Sequence, residues 1–197
     1  MVRSVLSSAA CAVVFTLAGL SNSAAYTINT YKDWDGSLFV EPFGCPSTTS
    51  YGQTFIAPKK SMMTKFTFWW ANLRDLPGKM VVRGEIYAWD GQKATGGPLW
   101  ESKPRTISYI DSDYHAEAFK TGGIMLTPGA AYIMFASIDK DYAKCKNGYA
   151  LQWADMDDSV YPKGGMYYQD NGGDPSQWTM KSWVERGNDL AFIAYFQ

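Results

Sequence analysis

The chain has a single histidine, His115, among 197 residues. A zinc centre built from imidazoles is thereby excluded, since such sites draw on several His or Cys ligands. A histidine base would rest on that one residue, in "DSDYHAEAF", where a packed or surface histidine is the ordinary alternative. No G-x-S-x-G turn is present, so the nucleophile elbow of α/β-hydrolases is missing. Basic runs are lacking too. Lys and Arg total 18 against 19 acidic residues, a net charge of −1. That balance argues against nucleic acid and against an electrostatically bound membrane surface. No long segment carries a helical period.

Cysteine is scarce, with three residues. Cys11 lies in the first 25 residues, which read as a secretory signal peptide. Arg3 supplies the positive start, Val5–Leu20 is small and apolar, and Ser23, Ala24 and Ala25 form a small-residue cleavage site. The apolar run is short and no basic cluster follows it, so no membrane insertion is expected once it is removed. The remaining domain spans 26–197 and is expected in the secreted or periplasmic space. It keeps Cys45 and Cys145, and an even count in an exported chain predicts one disulfide. Two free buried thiols are the competing state.

Aromatic residues, in contrast, are abundant at 16%. They fall in short runs with β-branched residues, broken by "LPGK", "WDGQKATGGP", "LTPGA", "KNG" and "NGGDPS". About ten short strands without helical crossovers predict an all-β, antiparallel β-sandwich, jelly-roll-like in form. Strands are expected near Leu38–Val40, Tyr51–Ala57, Met62–Trp70, Met80–Trp89, Leu99–Ser102, Arg105–Tyr109, Tyr114–Phe119, Ala131–Ile138, Tyr149–Ala154, Met166–Gln169 and Leu190–Phe196. Asn147-Gly148 is read as a hairpin turn.

Side chains alternate across a strand. Phe66, Phe68 and Trp70 are expected in the core, which turns Trp69 outward unless something covers it. Val82, Gly84 and Ile86 face in, leaving Arg83 and Glu85 as a partly exposed pair beside Tyr87 and Trp89. The last strand is apolar on both faces and is expected to be central. The polar Lys65–Thr67 and Arg83–Glu85 faces break the outward apolar band a transmembrane barrel needs.

The runs "YGQTFIAP" (Tyr51–Pro58), "GEIYAWDGQKATGGPLW" (Gly84–Trp100), "LTPGAAYIMFAS" (Leu126–Ser137) and "DLAFIAYF" (Asp189–Phe196) span nearly all of the domain. Together they resemble a loosely defined group of exported bacterial jelly-roll-like β-sandwich proteins of unassigned function, some with C-terminal sorting tails. The resemblance implies a sandwich in an envelope or extracellular setting and carries over no catalytic residue. Only Gln197 follows Phe196 here, in place of such a tail.

The stretch "YYQDNGGDPSQWTMKSW" (Tyr167–Trp183) is the leading ligand site. Sugars offer an apolar CH face to an aromatic ring and hydroxyls to a polar rim. Tyr167, Tyr168 and Trp178 supply rings; Gln169, Asp170, Asn171, Asp174 and Gln177 supply the rim. The alternative makes Trp178 and Trp183 a plug over the open end of the sandwich. Trp69, Tyr87 and Trp89 are further outward aromatics, for ligand or as a contact patch for a surface protein. Asp111 with Asp113, Asp155 with Asp157 and Asp158, and Asp170 with Asp174 are carboxylate pairs of the kind a glycan hydrolase uses. Calcium is the one cofactor considered, at Asp33 and Asp35 in "DWDGS" or Asp155 and Asp157 in "ADMDDS". Each set lacks further acidic ligands, and ordinary turn aspartates are the competing reading. The preferred function is an exported, non-catalytic protein binding a glycan of the envelope or matrix; a structural or interaction component of the bacterial surface is the alternative.

Overall fold

A computed structural model describes residues 25–73, 77–145 and 148–197. The proposed signal peptide, except Ala25, and Asn147 of the proposed hairpin turn lie outside the described residues. The rest is an all-β, antiparallel, jelly-roll-like sandwich of two sheets. Its strands are β1 (Tyr26–Asn29), β2 (Phe39–Gly44), β3 (Ser50–Ile56), β4 (Met62–Asn72), β5 (Met80–Trp89), β6 (Ala94–Glu101) and β7 (Arg105–Ile107). They continue with β8 (His115–Met125), β9 (Ala131–Ser137), β10 (Ala150–Ala154), β11 (Met166–Gln169), β12 (Val184–Glu185) and β13 (Phe192–Phe196). One α-helical turn, α1, covers Gln177–Met180, and short 3-10 segments cover Tyr31–Asp33 and Asp139–Lys144.

One sheet runs β1-β13-β4-β10-β2, with β8 on the far side of β4. Strands β13 and β10 lie end to end against β4, meeting Met63–Phe68 and Trp70–Asn72 respectively. The other sheet runs β12-β11-β3-β9-β5-β6, with β7 taking up the edge of β5 beyond β6. The disulfide Cys45–Cys145 ties the chain just after β2 to the chain before β10, with Cα atoms 6.1 Å apart.

The alternation expected for β4 holds. Phe66, Phe68 and Trp70 are fully buried between the sheets. Trp153 of β10 joins them, its ring 4.8 Å from Phe68 and 5.0 Å from Trp70 and Phe43. Each such side chain contributes on the order of 2–3 kcal/mol when removed from water. Trp69 points to the other face but is not left open. Tyr31, between β1 and β2, stacks on it at 3.7 Å and 10°. On β5 the inward Gly84 has no side chain because Phe119 of β8 fills its place; a Cβ there would lie 2.4 Å from that ring. Strand β13 is internal, between β1 and β4, with Phe192, Ala194 and Phe196 buried.

Three expectations need correction. Arg83 and Glu85 are not a pair: Arg83 binds Glu101 and Asp141, while Glu85 is wholly buried against Lys140. Strand β6 begins at Ala94, not Leu99, since Asp90 closes the turn by accepting from the amides of Gln92 and Lys93. The "ATGGP" run is then strand, pairing Thr95 with Ala88. Short β1 and β12 were not anticipated; both are edge strands, and each is held by pairing to a longer partner.

Candidate functional site

The site region lies on the outer face of the β3–β9–β5 sheet. Tyr87 projects from β5, Ile133 and Phe135 from β9, and Tyr167 from β11. Gly52 in β3 makes room between them; a Cβ there would meet the Phe135 Cβ at 2.7 Å. The aromatic-rich segment crosses this face. Gly172 and Gly173 turn with φ of +62° and +90°, a conformation glycine takes without steric cost. Gly173 lies so close to Tyr142 that a Cβ would come within 2.7 Å of the tyrosine Cβ and 2.9 Å of its ring. Asp174 then holds the entry to α1, accepting from the Ser176 amide at 3.0 Å and from Gln177 Nε2 at 2.6 Å.

Trp178 is only 1% exposed. Its indole N–H donates to Asp139 Oδ2 at 2.7 Å, and Phe135 meets its ring edge-on at 4.9 Å. Trp183 is buried too and donates to the Trp178 carbonyl at 3.0 Å. Gln169 Nε2 donates to the carbonyls of Gln177 and Lys181, both at 3.1 Å. These bonds make the segment a cover over a second, smaller core. It closes a sheet face, where the sequence reading had a plug over the open end of the sandwich.

The candidate ligand residues therefore separate. Trp178 and Tyr87 are enclosed and offer no free ring, while Gln169, its Nε2 bonded to the Gln177 and Lys181 carbonyls, lines a small pocket. Asp170, Asn171 and Gln177 border this pocket of about 120 Å³ with Lys181, Ser182 and Val184. That is below the roughly 300–1,000 Å³ of typical small-ligand sites. Asn171 Oδ1 is already bonded to the Thr49 hydroxyl, at 2.7 Å. Trp69 belongs to the opposite sheet, so Trp69, Tyr87 and Trp89 form no common patch. What remains at the margin is Trp89 with Tyr167. Both are half-buried, with ring centroids 4.8 Å apart. Exposed Glu185 sits opposite Tyr167 on β12. Burial, then the Glu185 charge, raises the Tyr167 hydroxyl above its usual range, so it stays protonated as a donor.

A charge network that sequence reasoning missed supports the cover. Glu85 is fully buried, and loss of hydration pushes its carboxyl up to about 7. Lys140 reaches it at 3.0 Å and also bonds Glu101. The same ammonium lies 5.3 Å from the Trp178 ring centre. Asp139, 3% exposed, gathers the hydroxyls of Ser50 and Ser137 as well as the Trp178 indole. The partners of Lys140 stand 55 and 39 positions away, so no local motif could have signalled them.

The other acidic candidates have local work. Asp33 pairs with Lys32, and Asp35 accepts from the amides of Ser37 and Leu38, which lowers its carboxyl. Asp155 accepts both bonds from Asn188 Nδ2 and is raised to about 6 by burial, whereas Asp157 is exposed. Among the described residues no group of three His, Cys, Asp or Glu gathers as metal ligands. His115 bonds Asp111 at 2.8 Å and stacks on Tyr109 at 4.1 Å, with no serine or cysteine nucleophile in that contact set. Among the described residues no helix is long and apolar enough to cross a membrane. No protein-family model matches the chain. No curated protein matches it in sequence.

Proposed function

We propose that this chain is an exported, non-catalytic binding protein that takes carbohydrate of a cell envelope or extracellular matrix on the Trp89–Tyr167 ledge. The observation that carries this reading is a partly exposed pair of rings fixed over a packed aromatic base, with a carboxylate beside it. Such a ledge suits the CH face of a pyranose, with Glu185 and the Tyr167 hydroxyl for its hydroxyl rim. Rings already held in place lose little entropy on binding. The leader-like first 25 residues support export. A glycan array should give hits that Trp89→Ala weakens at least tenfold while the fold is retained. Blank arrays together with blank pull-downs on wall and matrix polysaccharides would refute the reading.

A second reading, a protein-contact component of the cell surface, draws on Leu38 and Phe39. These apolar side chains are 39% and 44% exposed at the start of edge strand β2. Concentration-independent monomers in size-exclusion chromatography would count against self-association through that edge.

A further inference from the structure

A second cleft lies where the free edges of the two sheets meet. Strands β6 and β7 form one edge and β8 the other. Arg105 of β7 bridges them, donating to the Ala118 carbonyl and to Glu117 Oε2, each at 2.6 Å. Beside this bridge opens a cleft of about 380 Å³, bordered by Trp100, Phe119, Lys103 and Lys120. Trp100 is half-buried, anchored edge-on to core Phe66 at 5.8 Å. The volume falls in the range of small-ligand sites, roughly 300–1,000 Å³.

The charges around this cleft are unbalanced. The carboxylate bordering it, Glu101, is paired with Arg83 and Lys140, and neighbouring Glu117 is paired with Arg105 and accepts from the Tyr109 hydroxyl. Ser102 is also engaged, accepting from the Gly84 amide and donating to the Lys103 carbonyl. Lys103 and Lys120 are exposed, and neither ammonium has an ion-pair partner among the described residues. A protein of net charge −1 thus keeps two uncompensated cations beside an anchored indole. A bare phosphate would leave the indole unused, and a neutral sugar would leave both ammonium groups unused. A ligand with an apolar ring face and a carboxylate uses all three groups.

We infer that this edge cleft binds a uronic-acid saccharide, its ring on Trp100 and its carboxylate between Lys103 and Lys120. The inference shares the carbohydrate class of the proposed function but not its site. The probe is tetragalacturonate, titrated calorimetrically into the full chain at low salt. Saturable binding is expected. It should fall at least roughly tenfold with the double variant Lys103→Glu/Lys120→Glu, fall likewise with Trp100→Ala, and weaken as salt rises. The lysines are exposed, so the charge reversal decides the matter even if Trp100→Ala fails to fold. Circular dichroism of the double variant checks that its fold is kept. Absence of binding, or binding indifferent to the charge reversal, overturns the inference. So does equal competition by inorganic phosphate, which would mark a simple anion site. Array hits that depend on Trp89 and do not compete with tetragalacturonate would keep the ledge and the cleft distinguishable, whichever of the two fails.

Discussion

Replacing Trp178 by alanine separates a buried cover from a binding surface. The side chain is enclosed, so its loss opens a cavity lined by Phe135, Tyr87 and Trp183. Truncating a buried Trp or Phe costs about 3–5 kcal/mol. The Asp139 carboxylate also loses its indole donor and keeps the hydroxyls of Ser50 and Ser137. A bond to a charged group is worth about 1.5–3 kcal/mol, and the two losses overlap and do not simply add. Trp178→Phe isolates the second part, because it keeps most of the ring and removes the N–H. We expect Trp178→Phe to cost about 1.5–3 kcal/mol and Trp178→Ala about 3–5 kcal/mol, against a typical total of roughly 5–15 kcal/mol. Urea unfolding followed by far-ultraviolet circular dichroism measures both, provided the slope of free energy with urea is unchanged. An alanine variant within about 1 kcal/mol of the parent would refute the buried cover, since only a solvated ring is so cheaply removed. Lost glycan binding at unchanged stability would return Trp178 to the surface.

Glu85 and Asp155 make stability depend on pH. Their folded carboxyls are raised, to about 7 and about 6, so each favours the folded state most when protonated. That contribution is full below about pH 4 and is lost as pH rises through 6 and 7. Glu85→Gln should flatten the decline in urea midpoint between pH 5 and about 7.5; an unchanged slope would contradict the burial of a titrating Glu85. Reducing Cys45–Cys145, or replacing both by serine, releases a link across 100 positions. The expected loss is about 4–5 kcal/mol in the chain-entropy account, read as a lower urea midpoint; no change on reduction would argue against the bond. Gly84→Ala forces a methyl to within 2.4 Å of Phe119, so one of them must shift. We expect a cost of about 1–3 kcal/mol by thermal melting, and a neutral result would mean that Phe119 does not pack on β5.

Much of the fold was legible because strand faces repeat every second residue. That period put Phe66, Phe68 and Trp70 in the core and located Met80–Trp89 and Met166–Gln169 at their observed bounds. Edge strands β1 and β12 were not legible, being four and two residues long and dependent on a neighbour for their definition. The aromatic segment could be recognised as unusual, but its role could not be assigned. Whether Trp178 is a platform or a cover depends on Asp139 and Phe135, 39 and 43 positions away.

The sequence alone determined which residues turn toward an oily interior, because pleated backbone alternates side chains and water drives the apolar set inward. It also predicted one disulfide, between Cys45 and Cys145, which the structure forms. The tertiary structure alone decided what lies over each outer face. Tyr31 covers Trp69, the 170–183 segment covers Tyr87, and Trp89 and Tyr167 are left half-open. Local pattern decides which way a side chain points; only the path of the distant chain decides whether it meets protein or water.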